Sequence, residues 1–194
     1  MTTDNTSNSL GTATQLCDYT AAVLTQMVSV IQPYLGAKQS AYAAHVGAHI
    51  LHIIEHYDTL VKAWAAVQDR PEARCQADYD ARERNLRVEA NPLESIRRVG
   101  LIDAAFGSSA GLNKAAMQHC VLVYTCGGLT GEHNFCTRSS LAREIMFLNS
   151  HVTHHFAIMQ GYARDRGQTL GAGVGKAPAA VAYEQRLHKT QEAA

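Results

Sequence analysis

The 194-residue sequence predicts an all-α fold, a four-helix bundle in which a short strand or hairpin is inserted before the last long helix. Four long segments place apolar residues three and four positions apart, which is the spacing of a helix that buries one face. A single shorter segment has the β-branched and aromatic composition of a strand. Mostly helical chains of this length are typical of one antiparallel bundle.

The first two helices are delimited by residues that break helices. The first covers residues 14–35, with Pro33 and Gly36 at its C-terminal end. The second covers residues 41–67, because no proline interrupts the apolar pattern before Pro71. We therefore expect a second helix that is longer than the first.

The third helix follows a polar connection, residues 68–91, that contains both signs of charge. Asn91 followed by Pro92 is typical of an N-cap with proline at the first helical position, and the apolar pattern continues to Gly107. Neither side of the connection could close a core alone, so we expect one domain.

The fourth helix follows the segment with strand character. Residues 119–125 read HCVLVYT and residues 127–131 contain three glycines, which predicts a short strand or hairpin. Ser139 or Ser140 then caps a helix that runs to about Arg166.

Both ends of the chain are expected to lie outside the bundle, which covers residues 13–166. Residues 1–12 are rich in Ser, Thr and Asn and predict a flexible N-terminus. Residues 167–194 begin with a glycine-rich stretch and predict an extended C-terminal arm, with at most a short final turn of helix, that packs on the bundle or leaves it.

Composition and charge exclude several classes of protein. With 46% hydrophobic and 18% charged residues, the chain is not a disordered polar chain. Lys+Arg and Asp+Glu number 17 each, so no basic excess points to nucleic acid. Five cysteines without a CxxC pair do not indicate a disulfide framework. The sequence has neither a signal-peptide pattern nor an apolar run of roughly 18 residues that could span a membrane, so we expect a cytoplasmic protein.

The histidines are the feature that indicates chemistry. The second helix carries four, spaced by four, three and four residues: His45, His49, His52 and His56. At about 100° per residue, their side chains fall within roughly a 60° arc of one helical face. On the fourth helix, His151 and His155 lie one turn apart on a common face.

An HxxxH pair on a helix can direct two imidazole nitrogens at one ion about 2.0–2.1 Å away. The third ligand then comes from an adjacent helix, and a shared cation offsets the cost of burying several imidazoles, about 1–3 kcal/mol each. We predict a divalent transition ion, zinc, nickel or iron(II), bound by His151, His155 and one histidine of the second helix. The spacing does not choose between His49 and His52.

Other histidines and two cysteines allow two interpretations. His154 is offset about 60° from His151, so it either orients a ligand or lies on the surface. His45 and His56 either line the cavity or are the solvated ends of the stripe. The cysteines are expected to be small buried residues, and the two that could approach the site are Cys126 and Cys136.

Charged residues near the predicted site are also candidates. Glu144, seven residues before His151, could accept a hydrogen bond from a ligand imidazole, hold a substrate or act as a base. Alternatively, Arg143 and Glu144 pair with neighbours such as residues 78–85 of the connection. Arg82 and Arg84 could bind the carboxylate of an anionic cofactor, or they belong to a solvated, ion-paired loop.

Two stretches, VGAHILHIIEHYDTL (46–60) and SSLAREIMFLNSHVTHHFAIM (139–159), resemble the signature helices of the DinB-like superfamily. These proteins are metal-binding four-helix bundles named after a bacterial damage-inducible gene and are unrelated to the polymerase of that name. DYDARERN (78–85) and GVGKAPAA (173–180) resemble a subgroup of the same family.

The resemblance implies a ligand set, a function and an assembly. The family pattern, a histidine followed by an aliphatic residue and then by an acidic residue three positions on, matches His52, with Glu55 following, and selects it as the partner of His151 and His155. Characterised relatives use low-molecular-weight thiols, and many are homodimers with an atypical connection order among the helices. We therefore expect a metal-dependent enzyme that activates water or a small thiol, a hydrolase or a thiol transferase. The alternative is a non-catalytic bundle with a structural or sensed ion.

Overall fold

The computed structural model describes residues 11–36, 39–70, 72–107, 112–165, 167, 169–171 and 173–192. Within these residues the chain is mainly helical, with one small sheet. The α-helices are α1 (Ala13–Ile31), α2 (Gln39–Tyr42), α3 (Ala48–Asp69), α4 (Leu86–Ala90), α5 (Pro92–Phe106), α6 (Lys114–Met117), α7 (Leu141–Arg164) and α8 (Pro178–Glu192). The strands are β1 (Cys75–Asp78), β2 (Cys120–Gly127) and β3 (His133–Ser140).

Local side-chain caps begin three of the long helices. Thr12 forms a capping box with Gln15 at the start of α1. The Asn91 side chain accepts hydrogen bonds from the backbone of α5, and Pro92 is its first residue, as the sequence predicted. Of the two serines predicted to cap α7, Ser140 does so by accepting from the backbone N–H of Arg143.

Four long helices share one apolar core. Helix α1 contacts α5 and α7, and α3 contacts the same two helices. Each contributes residues that are almost fully buried, among them Met27, Ile53, Ile102 and Val152. The mainly helical class is therefore confirmed. Because α3 and α7 pack against each other, the histidines on these two helices can meet.

The second predicted helix is interrupted near its start. A π-helical turn, Ala43–Gly47, separates α2 from α3. At its end, a Cβ atom on Gly47 would lie 2.1 Å from the carbonyl oxygen of Glu89, so only glycine lets α4 approach this closely. A π turn holds more residues than an α turn, so His45 does not keep the helical phase of the histidines that follow it.

A three-stranded sheet takes the place of the short strand or hairpin that was predicted within the all-α fold. Strands β2 and β3 form the antiparallel hairpin that was predicted before the last long helix. Strand β1 was not predicted: it pairs with β2 in parallel and contacts α3. It has only four residues, and its buried side chains, Cys75 and Ala77, are too small to give a clear strand pattern.

The C-terminal region differs from the extended arm that we expected. Residues 178–192 form α8, a helix of 15 residues. The loop before it packs against α7: Val174 is buried, and Gly175 lies against the backbone of Ala157. The predicted flexible N-terminus, apart from its last two residues, lies outside the described residues. None of the described helices combines the length and the apolar character needed to cross a bilayer.

Candidate metal centre

Helices α3 and α7 bring three of the predicted histidines together. His52, His151 and His155 each offer a ring nitrogen, and these atoms all lie within 4.8 Å of one another. The ring centroids of His151 and His155 are 4.6 Å apart, and that of His52 is 5.0 and 4.8 Å from them. This is the arrangement of three imidazoles that could face one ion.

The hydrogen bonding of His151 fits a bound cation. Its Nε2 atom is buried and has no hydrogen-bond partner in the described part of the chain. A buried polar atom without a partner costs about 1–3 kcal/mol, and a ligated cation would remove that cost. The donor set, three imidazole nitrogens, suits a divalent transition ion rather than calcium or magnesium.

His49, the alternative third ligand, lies beside the cluster rather than in it. Its Nδ1 atom is 2.9 Å from Nδ1 of His155, and the two rings are tilted by 54°. This contact is a hydrogen bond between rings, and His49 is not a member of the group of three. The geometry thus assigns His52 and His49 different places, which spacing could not do.

His56 lies at the other side of the cluster. Its ring centroid is 4.3 Å from that of His52, and its Nδ1 atom lies 2.8 Å from the backbone oxygen of His52, to which it donates. The ring is buried and stacks on Tyr79 at 5.5 Å. His56 therefore lines the site and is not a solvated end of the stripe.

Burial keeps the clustered imidazoles neutral. It lowers the pKa of His52 to about 3, helped by the neighbouring His56, His155 and His151 rings and by Arg82. Burial, followed by the nearby rings, likewise lowers the pKa values of His151 and His155 to about 4. At neutral pH all three rings are therefore uncharged, and each has one unprotonated nitrogen, which ligation requires.

Arg82 is the charged residue of the connection that reaches the cluster. Its Nη1 atom donates to Nδ1 of His52 and lies 3.8 Å from Oε2 of Glu55. A guanidinium only donates, so the other ring nitrogen of His52 carries the hydrogen in this arrangement. For His52 to ligate an ion through either nitrogen, Arg82 must leave Nδ1.

Glu144 is buried, at 1% exposure, and has three partners. It accepts from the Tyr79 hydroxyl at 2.9 Å, from Ser139 at 2.5 Å and from Arg143 at 3.0 Å. Within the described chain no hydrogen bond joins Glu144 to a histidine. These contacts hold the connection against α7. Glu144 therefore pairs with its neighbours, which is the second of the two interpretations of its role.

The remaining candidates are not members of the group of three rings. Arg84 is exposed, and among the described residues no hydrogen bond or ion pair joins it to the cluster. His154 is also exposed, and the edge of its ring contacts His155 at a centroid distance of 5.6 Å. His45 is half-buried, with its ring 5.8 Å from that of Tyr34. The cysteines were expected to be buried, and Cys17 and Cys75 are, but Cys120, Cys126 and Cys136 are exposed on the hairpin.

Fold and site together define a mainly helical protein with a candidate three-histidine metal centre between two helices. Comparison with models of protein families, with curated proteins and with solved structures found no match to this chain. The resemblance to the DinB-like superfamily therefore stays a prediction.

Proposed function

We propose that this protein is a metal-dependent enzyme of the DinB-like type, in which His52, His151 and His155 hold a divalent ion that activates water or a small thiol. The observation that supports the proposal is the convergence of three ring nitrogens within 4.8 Å, one of them a buried atom without a partner. Packing α1, α3, α5 and α7 around one core is compatible with the bundle of that family.

Zinc and nickel are the ions we expect first, with iron(II) next, because neutral imidazoles suit these ions. A divalent transition ion lowers the pKa of a coordinated water or thiol, so that the anion is available near neutral pH.

Residues of α3 and α7 form the site and its border toward solvent. His151 and His155 extend from one face of α7, and His52 closes the site from α3. Phe147 stacks on His151 at 5.8 Å and Tyr162 lies against His49 at 5.6 Å. Both aromatic rings are more than one-third exposed, so they border the site toward solvent, where a substrate would enter.

The alternative, a non-catalytic bundle with a structural or sensed ion, differs in coordination. Structural zinc sites use four protein ligands, whereas catalytic sites use three and leave a position for water or substrate. Within the described residues the group that could hold one ion has three members, which favours the catalytic interpretation.

The test is metal analysis of the purified full chain and of three single variants, His52→Ala, His151→Ala and His155→Ala, with His154→Ala as the matched control. We expect one ion per wild-type chain, loss of metal in the three variants and retention in the control. Retention of metal by His151→Ala would show that the site is wrong.

A second measurement separates the two classes of function. The metal-loaded chain is screened for hydrolysis of activated esters and for transfer of small thiols to a chromogenic electrophile. We expect turnover that disappears in His151→Ala, whose melting temperature stays close to that of the wild type. Absence of turnover, together with a collapse of the melting temperature on metal removal, would assign the ion to structure instead.

A further inference from the structure

A second candidate site is a cavity of about 370 Å³ between α3, β1, the connection that follows β1, and α5. It shares Arg82 and Glu55 with the surroundings of the histidine cluster. Its volume lies in the range of small-molecule pockets, roughly 300–1,000 Å³. We call this cavity the arginine cleft.

The arginine cleft combines an apolar wall with the side chains of three arginines. Leu51, Ile54 and Val88 contribute hydrocarbon surface. Three arginines line it, one just before β1, one after β1 and one on α5: Arg74, Arg82 and Arg98. Guanidinium groups match carboxylate and phosphate oxygens in geometry as well as in charge.

The acidic groups of the cleft already have partners. Asp58 accepts from Nη2 of Arg98, and Glu83 accepts from Lys62. Glu55 accepts from the backbone N–H of Asn85 at 3.2 Å. Asp78, the fourth, accepts from two backbone N–H groups of the turn that follows it.

Two buried donor atoms of the arginines that line the cleft lack an acceptor among the described residues. The Nε atoms of Arg82 and Arg98 are buried and have no partner in the described part of the chain. A buried donor without an acceptor is costly, and native structures rarely leave one so. Both arginines line the cleft, so an acceptor supplied from outside the chain could pair with these donors.

We propose that the arginine cleft binds a small organic anion. Its carboxylate or phosphate group accepts hydrogen bonds from Nε of Arg82 and Arg98, and its hydrocarbon part lies on the wall of Leu51, Ile54 and Val88. Binding needs no ion at the histidines, so this inference is independent of the proposed function.

The experiment titrates the chelator-treated full chain with benzoate, phenyl phosphate and inorganic phosphate, and with benzamide as the neutral match. NMR of the arginine Nε–H groups reports the contact directly in the wild-type chain. We expect the anions to shift the Nε–H signals of Arg82 and Arg98, and benzamide to leave them unmoved. A response to benzoate alone identifies a carboxylate, and a response to the phosphates alone identifies a phosphate group. Equal effects of benzoate and benzamide, or no shift with any anion, would overturn the proposal.

A pair of variants on one helix locates the anion. Arg98→Lys keeps the positive charge beside Asp58 but removes the Nε donor, and we expect roughly tenfold weaker binding of the anion. Arg97→Lys is the control, since Arg97 is exposed and pairs with Glu94 at 2.6 Å outside the cleft. Wild-type affinity in Arg98→Lys, or an equal loss in both variants, would place the anion elsewhere.

Discussion

His49 Nδ1 and His155 Nδ1 lie 2.9 Å apart, in a hydrogen bond that joins α3 to α7 beside the three clustered rings. One of the two nitrogens carries the shared hydrogen. When it is Nδ1 of His155, the Nε2 lone pair of that ring is available to a metal ion, and His49 fixes the orientation of the ring. His49 is then a positioning residue rather than a ligand.

Replacing His49 by Ala should weaken zinc binding about 10–100-fold without abolishing it, because the orienting contact to His155 is lost. Competition with a chromophoric chelator measures the affinity. His154→Ala, on the exposed side of α7, should stay within twofold of the wild type. A His49→Ala chain that loses zinc as completely as His151→Ala would identify His49 as a ligand.

Replacing Arg82 by Ala should strengthen zinc binding by roughly tenfold, or about 1.4 kcal/mol. The guanidinium occupies Nδ1 of His52 and repels a cation, so its removal frees the ligand and removes a like charge. The same chelator competition measures this change. Arg84→Ala, an exposed arginine of the same connection, is the matched control, and weaker zinc binding in Arg82→Ala would contradict the expected competition.

The metal-free chain should lose stability as the pH falls from about 6.5 to about 4.5. The pKa values of His52, His151 and His155 are lowered to about 3, 4 and 4 in the folded chain, so in this window the unfolded chain binds more protons. The free energy of unfolding therefore decreases with falling pH. Urea denaturation at several pH values measures it, and His151→Gln should give a shallower dependence. A urea midpoint that does not change between about pH 6.5 and 4.5 would contradict the expectation.

Glu144→Ala should lower the free energy of unfolding by about 2–3 kcal/mol, because it leaves the buried Tyr79 hydroxyl without its acceptor. Tyr79→Phe should cost about 1 kcal/mol, and a double-mutant cycle by urea denaturation should show coupling. Glu184→Ala removes an exposed ion pair and should have little effect. Loss of metal-dependent turnover in Glu144→Gln at unchanged stability would instead assign Glu144 to catalysis.

Gly175→Ala should release the loop before α8 from α7. The backbone at Gly175 has φ +77°, and a Cβ atom there would lie 2.6 Å from the backbone nitrogen of Ala157. Gly173, with φ +82° and nothing within 4 Å, is the matched control for backbone strain alone. We expect trypsin to cleave at Lys176 faster in Gly175→Ala than in Gly173→Ala. Equal rates would mean that the close approach to α7 does not hold the loop.

The elements that could be predicted from the sequence are those that local interactions determine. Asn91 and Pro92 begin α5 through a cap within four residues, and the hairpin follows from its β-branched strand and glycines. Strand β1 could not be predicted, because its pairing with β2 joins Cys75 to Val121 across 46 positions and its own side chains are small. The interruption of the second helix was missed for a similar reason, since Gly47 is required by the approach of α4.

The sequence by itself determined that α7 presents His151 and His155 on one face, because residues four apart on a helix point the same way. It also placed a stripe of imidazoles on the second helix. Only the tertiary structure decided that His52 joins the pair and that His49 lies beside it, because the rotation of α3 against α7 depends on how their buried side chains pack. Packing also brought Arg82 from the connection to His52, a contact between residues 30 positions apart that no local pattern encodes.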